Sequence, residues 1–290
     1  MAATDVELGY RESREITRRE AKNFYYAFLT LPQERRRAIY VAYAFCRYCD
    51  DTVDNAESPD QKTNLLEELH ANLNDAYTGR TSDPMFLALA DVADRHDIPE
   101  EYFKQVIYGV ESDLTKVRYQ NFEELRSYCY QVASVVGLIC LQIFGYKDDA
   151  AREYAVDLGL AMQLTNIARD VQEDLGLGRI YLPQDEIVRF GYSEEEMEAG
   201  VVNESFIELM RFQAQRARGY FDSGFKLLPY LSPRSRACPA VMGQLYSKVL
   251  QRIEAAEFDV FQQRISLSKA EKIRVTAQTW FTSMLPSSPW

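Results

Sequence analysis

Apolar residues recur at helical spacing almost from end to end of this chain, and no run of even five residues alternates as a strand would. Residues 33–54 place Ile39, Tyr43, Cys46 and Val53 near one stripe, at intervals of four, three and seven. Residues 60–78 and 84–97 form two more amphipathic patterns, split by a turn-like stretch that ends in Asp83-Pro84. Pro99 opens a helix to about Lys116, and Asn121 followed by Glu124 resembles a capping box that opens one to about Gly145. Asp148 begins a helix running through Asp174; Gly176 and Gly178 end it, and Pro183 keeps residues 179–183 extended. Residues 204–226, 233–257 and 268–284 supply three closing helices. With 13 Gly and 10 Pro in 290 residues, the chain is poor in the residues that many short strands and tight turns require. No linker, low-complexity block or repeat divides it. The pattern predicts one all-α domain over residues 1–290, of roughly ten helices around a central apolar cavity.

Charge and composition exclude several functions. The net charge is −11, from 44 acidic and 33 basic residues, which argues against a nucleic-acid partner because phosphate backbones are held by clustered Lys and Arg. His70 and His96 are the only histidines, too few for a His-rich metal site. Cys46 and Cys49 form a CxxC, but inside a helical run and without a second pair, so they are expected as two small apolar residues on one helix face. The first twenty residues are polar and charged rather than an apolar leader. The most apolar stretch, residues 132–146, is short for a membrane span and interrupted by Ser134 and Gln142; it is expected as a buried helix. A cytoplasmic protein is expected.

Two acidic clusters stand out. Residues 50–54 read Asp-Asp-Thr-Val-Asp and residues 170–174 read Asp-Val-Gln-Glu-Asp, so each sets two carboxylates four apart on one helix face. Like charges at that spacing repel, and both pairs follow apolar runs in which carboxylates are costly without compensation. A solvated helix face is the ordinary reading of one such pair. Two pairs with polar companions point elsewhere: Arg47 lies one turn before Asp51, and Gln163, Asn166, Asp170 and Asp174 form a polar stripe beside Arg169 on an otherwise apolar helix. Oxygen ligands without His or thiolate select Mg²⁺, or Mn²⁺, before Zn²⁺. Two acidic helices across an apolar cavity would clamp a diphosphate through bridging cations, with Arg47, Arg169 and Arg179 taking the remaining charge. The rest of such a substrate would be hydrocarbon. The chemistry reached is metal-assisted ionisation of an allylic diphosphate.

These residues resemble the squalene/phytoene synthase family of head-to-head prenyl transferases. The matching stretches are Tyr43-Ala-Phe-Cys-Arg-Tyr-Cys-Asp-Asp-Thr-Val-Asp54, Tyr128-Cys-Tyr-Gln-Val-Ala-Ser-Val-Val-Gly137 and Gln163-Leu-Thr-Asn-Ile-Ala-Arg-Asp-Val-Gln-Glu-Asp174, with Gly178-Arg-Ile-Tyr-Leu-Pro183 and Met242-Gly-Gln-Leu-Tyr246. The resemblance implies an isoprenoid-synthase-type helical bundle that joins two prenyl diphosphates 1′ to 1 through a cyclopropylcarbinyl diphosphate. It implies Asp50 and Asp54, and Asn166, Asp170 and Asp174, as Mg²⁺ or diphosphate binders. It implies Arg47, Arg169 and Gln163 as diphosphate contacts, Tyr43 and Tyr246 as tyrosines near the diphosphates, and Tyr128 as a catalytic aromatic of the cavity. One departure stands near the N-terminus, where the family has Ser-Lys-Ser-Phe-Tyr and this chain has Ala21-Lys22-Asn23-Phe24-Tyr25. Lys22 is retained as a diphosphate partner.

Two products fit. The texture of residues 240–246 and 258–268 is most similar to bacterial presqualene diphosphate synthases, which act on farnesyl diphosphate in hopanoid pathways and make C30 products. Residues 163–170 are equally similar to phytoene synthases, which join two geranylgeranyl diphosphates into a C40 hydrocarbon. Chain length would be set by Val132, Ala133, Val136, Leu160 and Leu164. Reduction to squalene would need NADPH, on which the residues are silent. Peripheral membrane contact is a further expectation, given so apolar a product. The rivals are a terpene cyclase or head-to-tail elongation enzyme, which a second motif of the form NxxRDxxED fits poorly, and a non-catalytic helical scaffold.

Overall fold

The computed structural model describes residues 2–21, 24–54 and 58–284. Among them there is no β-strand, only two isolated bridges, Arg118 to Ile180 and Tyr146 to Leu231. The helices are α1 (Ala2–Glu20), α2 (Phe24–Phe28), α3 (Gln33–Asp54), α4 (Pro59–Tyr77), α5 (Pro84–Arg95), α6 (Glu100–Thr115), α7 (Phe122–Cys129), α8 (Val135–Phe144) and α9 (Ala151–Arg169). They continue as α10 (Val171–Gly176), α11 (Gln184–Arg189), α12 (Glu194–Glu198), α13 (Glu204–Gly224), α14 (Pro233–Ala255) and α15 (Lys269–Met284). A 3₁₀ segment, Phe225–Tyr230, links α13 to α14.

Start signals act as their chemistry requires. Asp83 caps α5 through Oδ1 to the amides of Met85 and Phe86, with Pro84 at the first helical position. Asn121 Oδ1 accepts from the Glu124 amide at 3.1 Å, but Glu124 reaches back to the amide of Gln120, not to that of Asn121. The box is therefore opened by one residue.

Two expected helices are interrupted. The run from Asn121 to Gly145 contains a π-helical turn, Tyr130–Ser134, between α7 and α8. The run expected from Asp148 to Asp174 stops at Arg169, where Asp170 (φ −100°, ψ 16°) leaves helical geometry before α10 begins. The Asp170 amide still bonds Asn166 O at 2.8 Å and the Asp174 amide bonds Asp170 O at 2.9 Å, so the carboxylates stay one turn apart while the axis changes.

α9 is the axle of the bundle, buried along nearly its whole length and packed by α8, α13, α14 and the π turn. Two glycines permit that crowding. A Cβ on Gly159 would lie 2.7 Å from Ala133 O and 2.8 Å from Ser134 Cα, so α9 can touch the π turn; one on Gly224 would lie 2.7 Å from Leu158 Cα. The stretch Phe122–Phe144 is long and apolar enough to cross a membrane, but half of its most apolar part is buried in the bundle and one side of it lines the central cavity, so the buried-helix expectation stands for these residues.

Candidate active site

A cavity of about 340 Å³ opens between α2, α3, α8, α9 and α14. Its wall is apolar over Phe24, Phe28, Ile39, Phe144, Leu158 and Met242, while Tyr43, Arg47 and Asp50 from α3, Gln163 and Asn166 from α9 and Tyr246 from α14 contribute the polar groups. The helical period explains the polar cluster: residues 43, 47 and 50 share one face of α3, and 163 and 166 share one face of α9. An apolar chamber with a few convergent polar groups suits a ligand that is greasy along its length and charged at its head.

Of the positions expected to set chain length, Val132, Ala133 and Val136 line the cavity. Leu160 and Leu164 do not; they are buried on the far side of α9, one or two residues out of phase with the lining Gly159, Met162 and Gln163.

The polar cluster carries unmet hydrogen-bonding capacity. Arg47 pairs with Asp51 one turn on, yet its buried Nε has no hydrogen-bond partner. Asn166 Nδ2 donates to Gln163 Oε1 at 3.2 Å, which leaves Asn166 Oδ1 buried without a partner. A buried orphan costs about 1–3 kcal/mol, and two at one end of a cavity mark where a polar ligand completes the set. Burial pushes the Tyr43 hydroxyl up to about 12, with the Arg47 guanidinium opposing. Burial also raises Tyr246, against the influence of Arg169, and its ring stacks on Phe24 at 5.8 Å.

The second acidic cluster does not line the cavity wall. Asp170 is held by Arg169 (Nε to Oδ1 2.7 Å) and by Arg264 (Nε to Oδ1 3.1 Å), and Arg264 also reaches Glu173 at 3.3 Å. Asp174 sits in a small cleft with Arg179 and Tyr181. Burial and then the charge of Asp170 push its carboxyl up to about 7, despite Arg179. The side chain of Asp54 and all of Lys22 and Asn23 lie outside the described residues; Ala21 is buried.

Tyr128, expected in the cavity, belongs instead to a neighbouring cluster. Its hydroxyl donates to Asp113 Oδ2 at 3.0 Å, Tyr181 donates to Asp113 Oδ1 at 2.9 Å, and Arg179 Nη2 donates to the Asp113 carbonyl at 3.0 Å. The rings of Tyr119 and Tyr181 lie 5.4 and 5.2 Å from that of Tyr128. Asp113 and Arg264 have no motif around them that singles them out. Only Tyr181 carried a signal, inside the Gly178–Pro183 block.

The donor set suits a divalent cation shared with a diphosphate. It is all oxygen, Asp174 is short of positive charge, and Asn166 Oδ1 awaits a partner. Among the described residues, no three His, Cys, Asp or Glu are close enough together to hold a metal alone.

Comparison with known proteins agrees with this geometry. Residues 17–271 match the model of the squalene/phytoene synthase family. The phytoene synthase of Mycobacterium tuberculosis is 38% identical over 284 residues, covering 97% of this chain and 93% of that protein. The 15-cis-phytoene synthase of Synechococcus elongatus is 36% identical over 275 residues, covering 91% and 89%. Among solved structures, a dehydrosqualene synthase in complex with ligand superposes with a TM-score of 0.88 at 28% identity, covering 96% of this chain and 98% of that one. A squalene synthase from Alicyclobacillus acidocaldarius gives 0.83 at 28% identity, covering 88% and 96%. An all-α bundle, an amphipathic cavity with Arg and Asp at its polar groups, and a match over most of its length together show that this chain is a prenyltransferase of the squalene/phytoene synthase family, whose members join prenyl diphosphates head to head.

Proposed function

We propose that the chain, acting as one domain, condenses two geranylgeranyl diphosphates into C40 phytoene, with the polar groups of the cavity taking the diphosphates and the apolar wall the tails. The observation that carries the reading is the pairing of buried, unsatisfied Arg47 Nε and Asn166 Oδ1 with an otherwise hydrocarbon-like chamber. The C40 choice rests on relatives at 36–38% identity that are named phytoene synthases, against 28% for the C30 synthases of known structure. The second reading, two farnesyl diphosphates giving presqualene diphosphate or a C30 hydrocarbon, is favoured by the texture of residues 258–268 and by the superposition on dehydrosqualene synthase.

Asp50, Asp54, Asn166, Asp170 and Asp174 would hold Mg²⁺, which supplies Lewis-acid neutralisation of the departing diphosphate. Arg47, Lys22 and Gln163 hold the phosphate oxygens and fix the head group. Arg169 and Arg264 turn from Asp170 toward phosphate as substrate enters. Tyr43 and Tyr246, kept protonated by burial, donate hydrogen bonds and exclude water from the ionised carbon. Tyr128 keeps its proton on the hydroxyl that Asp113 accepts, and outside the chamber it packs with Tyr119 and Tyr181.

The test is incubation with Mg²⁺ and either geranylgeranyl or farnesyl diphosphate, with and without NADPH, followed by mass analysis. Phytoene from the C20 substrate is expected. A C30 product made only from farnesyl diphosphate selects the second reading, and NADPH dependence assigns it a reductive step. No condensation of either substrate overturns both.

A further inference from the structure

α15 is amphipathic the wrong way round. Its buried row, Val275, Thr279 and Ser283, is spaced by four and packs toward α14 and α2. These are small side chains, and the Ser283 hydroxyl donates back to Trp280 O at 2.8 Å. The large apolar residues point away from the protein: Ile273 is 49% exposed, Trp280 44%, Phe281 63% and Met284 38%. Residues 273, 277, 280 and 284 recur at four, three and four, a continuous stripe that includes Ala277. A helix that merely capped the bundle would turn this stripe inward.

Two observations choose the occupant. The first is charge. In a chain of net charge −11, α15 carries Lys269, Lys272 and Arg274 against the single acid Glu271, which is engaged by Arg252 and Ser268. A cationic helix with an outward apolar stripe and a Trp complements an anionic lipid surface. The second is position. α15 touches α2, whose Phe24 and Phe28 form a wall of the cavity.

We propose that the outward face of α15 docks on an anionic bilayer, seating Ile273, Trp280, Phe281 and Met284 at the boundary of headgroups and acyl chains. The membrane would then lie beside the α2 wall, through which hydrocarbon tails enter and leave. The docking rests on the prenyltransferase reading only for this last purpose.

The experiment is flotation of the full chain with vesicles of phosphatidylcholine alone, or with about a third phosphatidylglycerol. Binding to the anionic vesicles, weakened by salt, is expected. The double variant Trp280→Ser, Phe281→Ser should lower the partition coefficient at least about tenfold, and Lys269→Gln with Arg274→Gln should remove the preference for anionic lipid. Unchanged thermal melting and unchanged turnover of detergent-dispersed substrate in these variants are expected. Absence of binding to anionic vesicles, wild-type binding by the double variant, or loss of its turnover in detergent would each overturn the proposal. So would a concentration-dependent dimer in sedimentation velocity that the double variant abolishes, since the face would then belong to a second copy. Vesicle binding without condensation in detergent would overturn the functional reading and leave the docking face standing.

Discussion

Asp174 is the residue at which fold and ligand compete most openly. Its carboxyl, raised to about 7 by burial and by Asp170, is protonated in the free protein at mildly acid pH. A folded pKa above the ordinary value of 3.8 means that the unfolded chain releases this proton first, so the stability it contributes falls as pH rises from about 4 and is gone above about 7. Asp174→Asn removes that slope. Thermal melts of the free proteins should therefore nearly coincide at the acid end of the window, with the variant melting increasingly above wild type toward the alkaline end; parallel curves would refute the raised pKa. The same variant should lose turnover by orders of magnitude, as should Asp54→Asn. Asn166→Ala, which removes an orphan oxygen and fills nothing, should cost about 10²–10³ in turnover with little change in melting temperature. Steady-state kinetics beside circular dichroism would check all three, and near-normal turnover in any of them would remove that residue from the site.

At the scale of elements, α9 sets the packing and shares the chamber wall with α8. Its Gly-facilitated contacts leave no room for added carbon: Gly224→Ala should destabilise by about 1–3 kcal/mol in urea titration, because the new Cβ meets Leu158 backbone rather than a movable side-chain end. One face of α9 lines the chamber and another packs into the core. Val136→Phe, on the facing cavity wall, should lower use of the C20 substrate more than that of the C15 substrate. Leu164→Phe should cost stability without changing that ratio, because it lies outside the chamber. Competition between the two diphosphates, read by mass, distinguishes these effects. The helices themselves were legible from periodicity because their stripes are long, and the Arg47–Asp51 pair and the Gln163–Asn166 grouping followed from spacing. The break at Asp170 was not: no Gly or Pro marks it, and it is held by Arg264, 94 residues away in sequence. Asp113 was illegible for the same reason, since Tyr128 and Tyr181 reach it from other segments. Leu160 and Leu164 were misassigned because a pattern shows which residues are buried, but an all-round buried helix does not show which side faces a void.

For the whole molecule, the orphaned polar atoms of the chamber and the undercompensated carboxyl of Asp174 make ligand binding a stabilising event. Mg²⁺ with inorganic diphosphate should raise the melting temperature by several degrees, more above pH 7 than below it, since Asp174 must release its proton to take part. A shift that is absent, or larger in acid, would refute the shared-cation arrangement. Asp170→Asn should reduce the shift, because one of the carboxylates that would hold Mg²⁺ is lost.

The π turn has a consequence for how such a chain can change over generations. A π turn is an α-helix carrying one surplus residue, so a one-codon deletion can erase it. Without Gln131, residues 122–144 could close into unbroken α-helix with the flanks near their present phase, whereas a deletion within α7 or α8 would turn one flank by about 100° relative to the other. In the first case Tyr128 would keep Asp113 and Val136 would keep its place in the chamber. Loss of a single residue inside the turn should therefore be tolerated better than loss of one within α7 or α8, and the connection at residues 145–150, which sets no side chain in either cluster, should also tolerate changes in length.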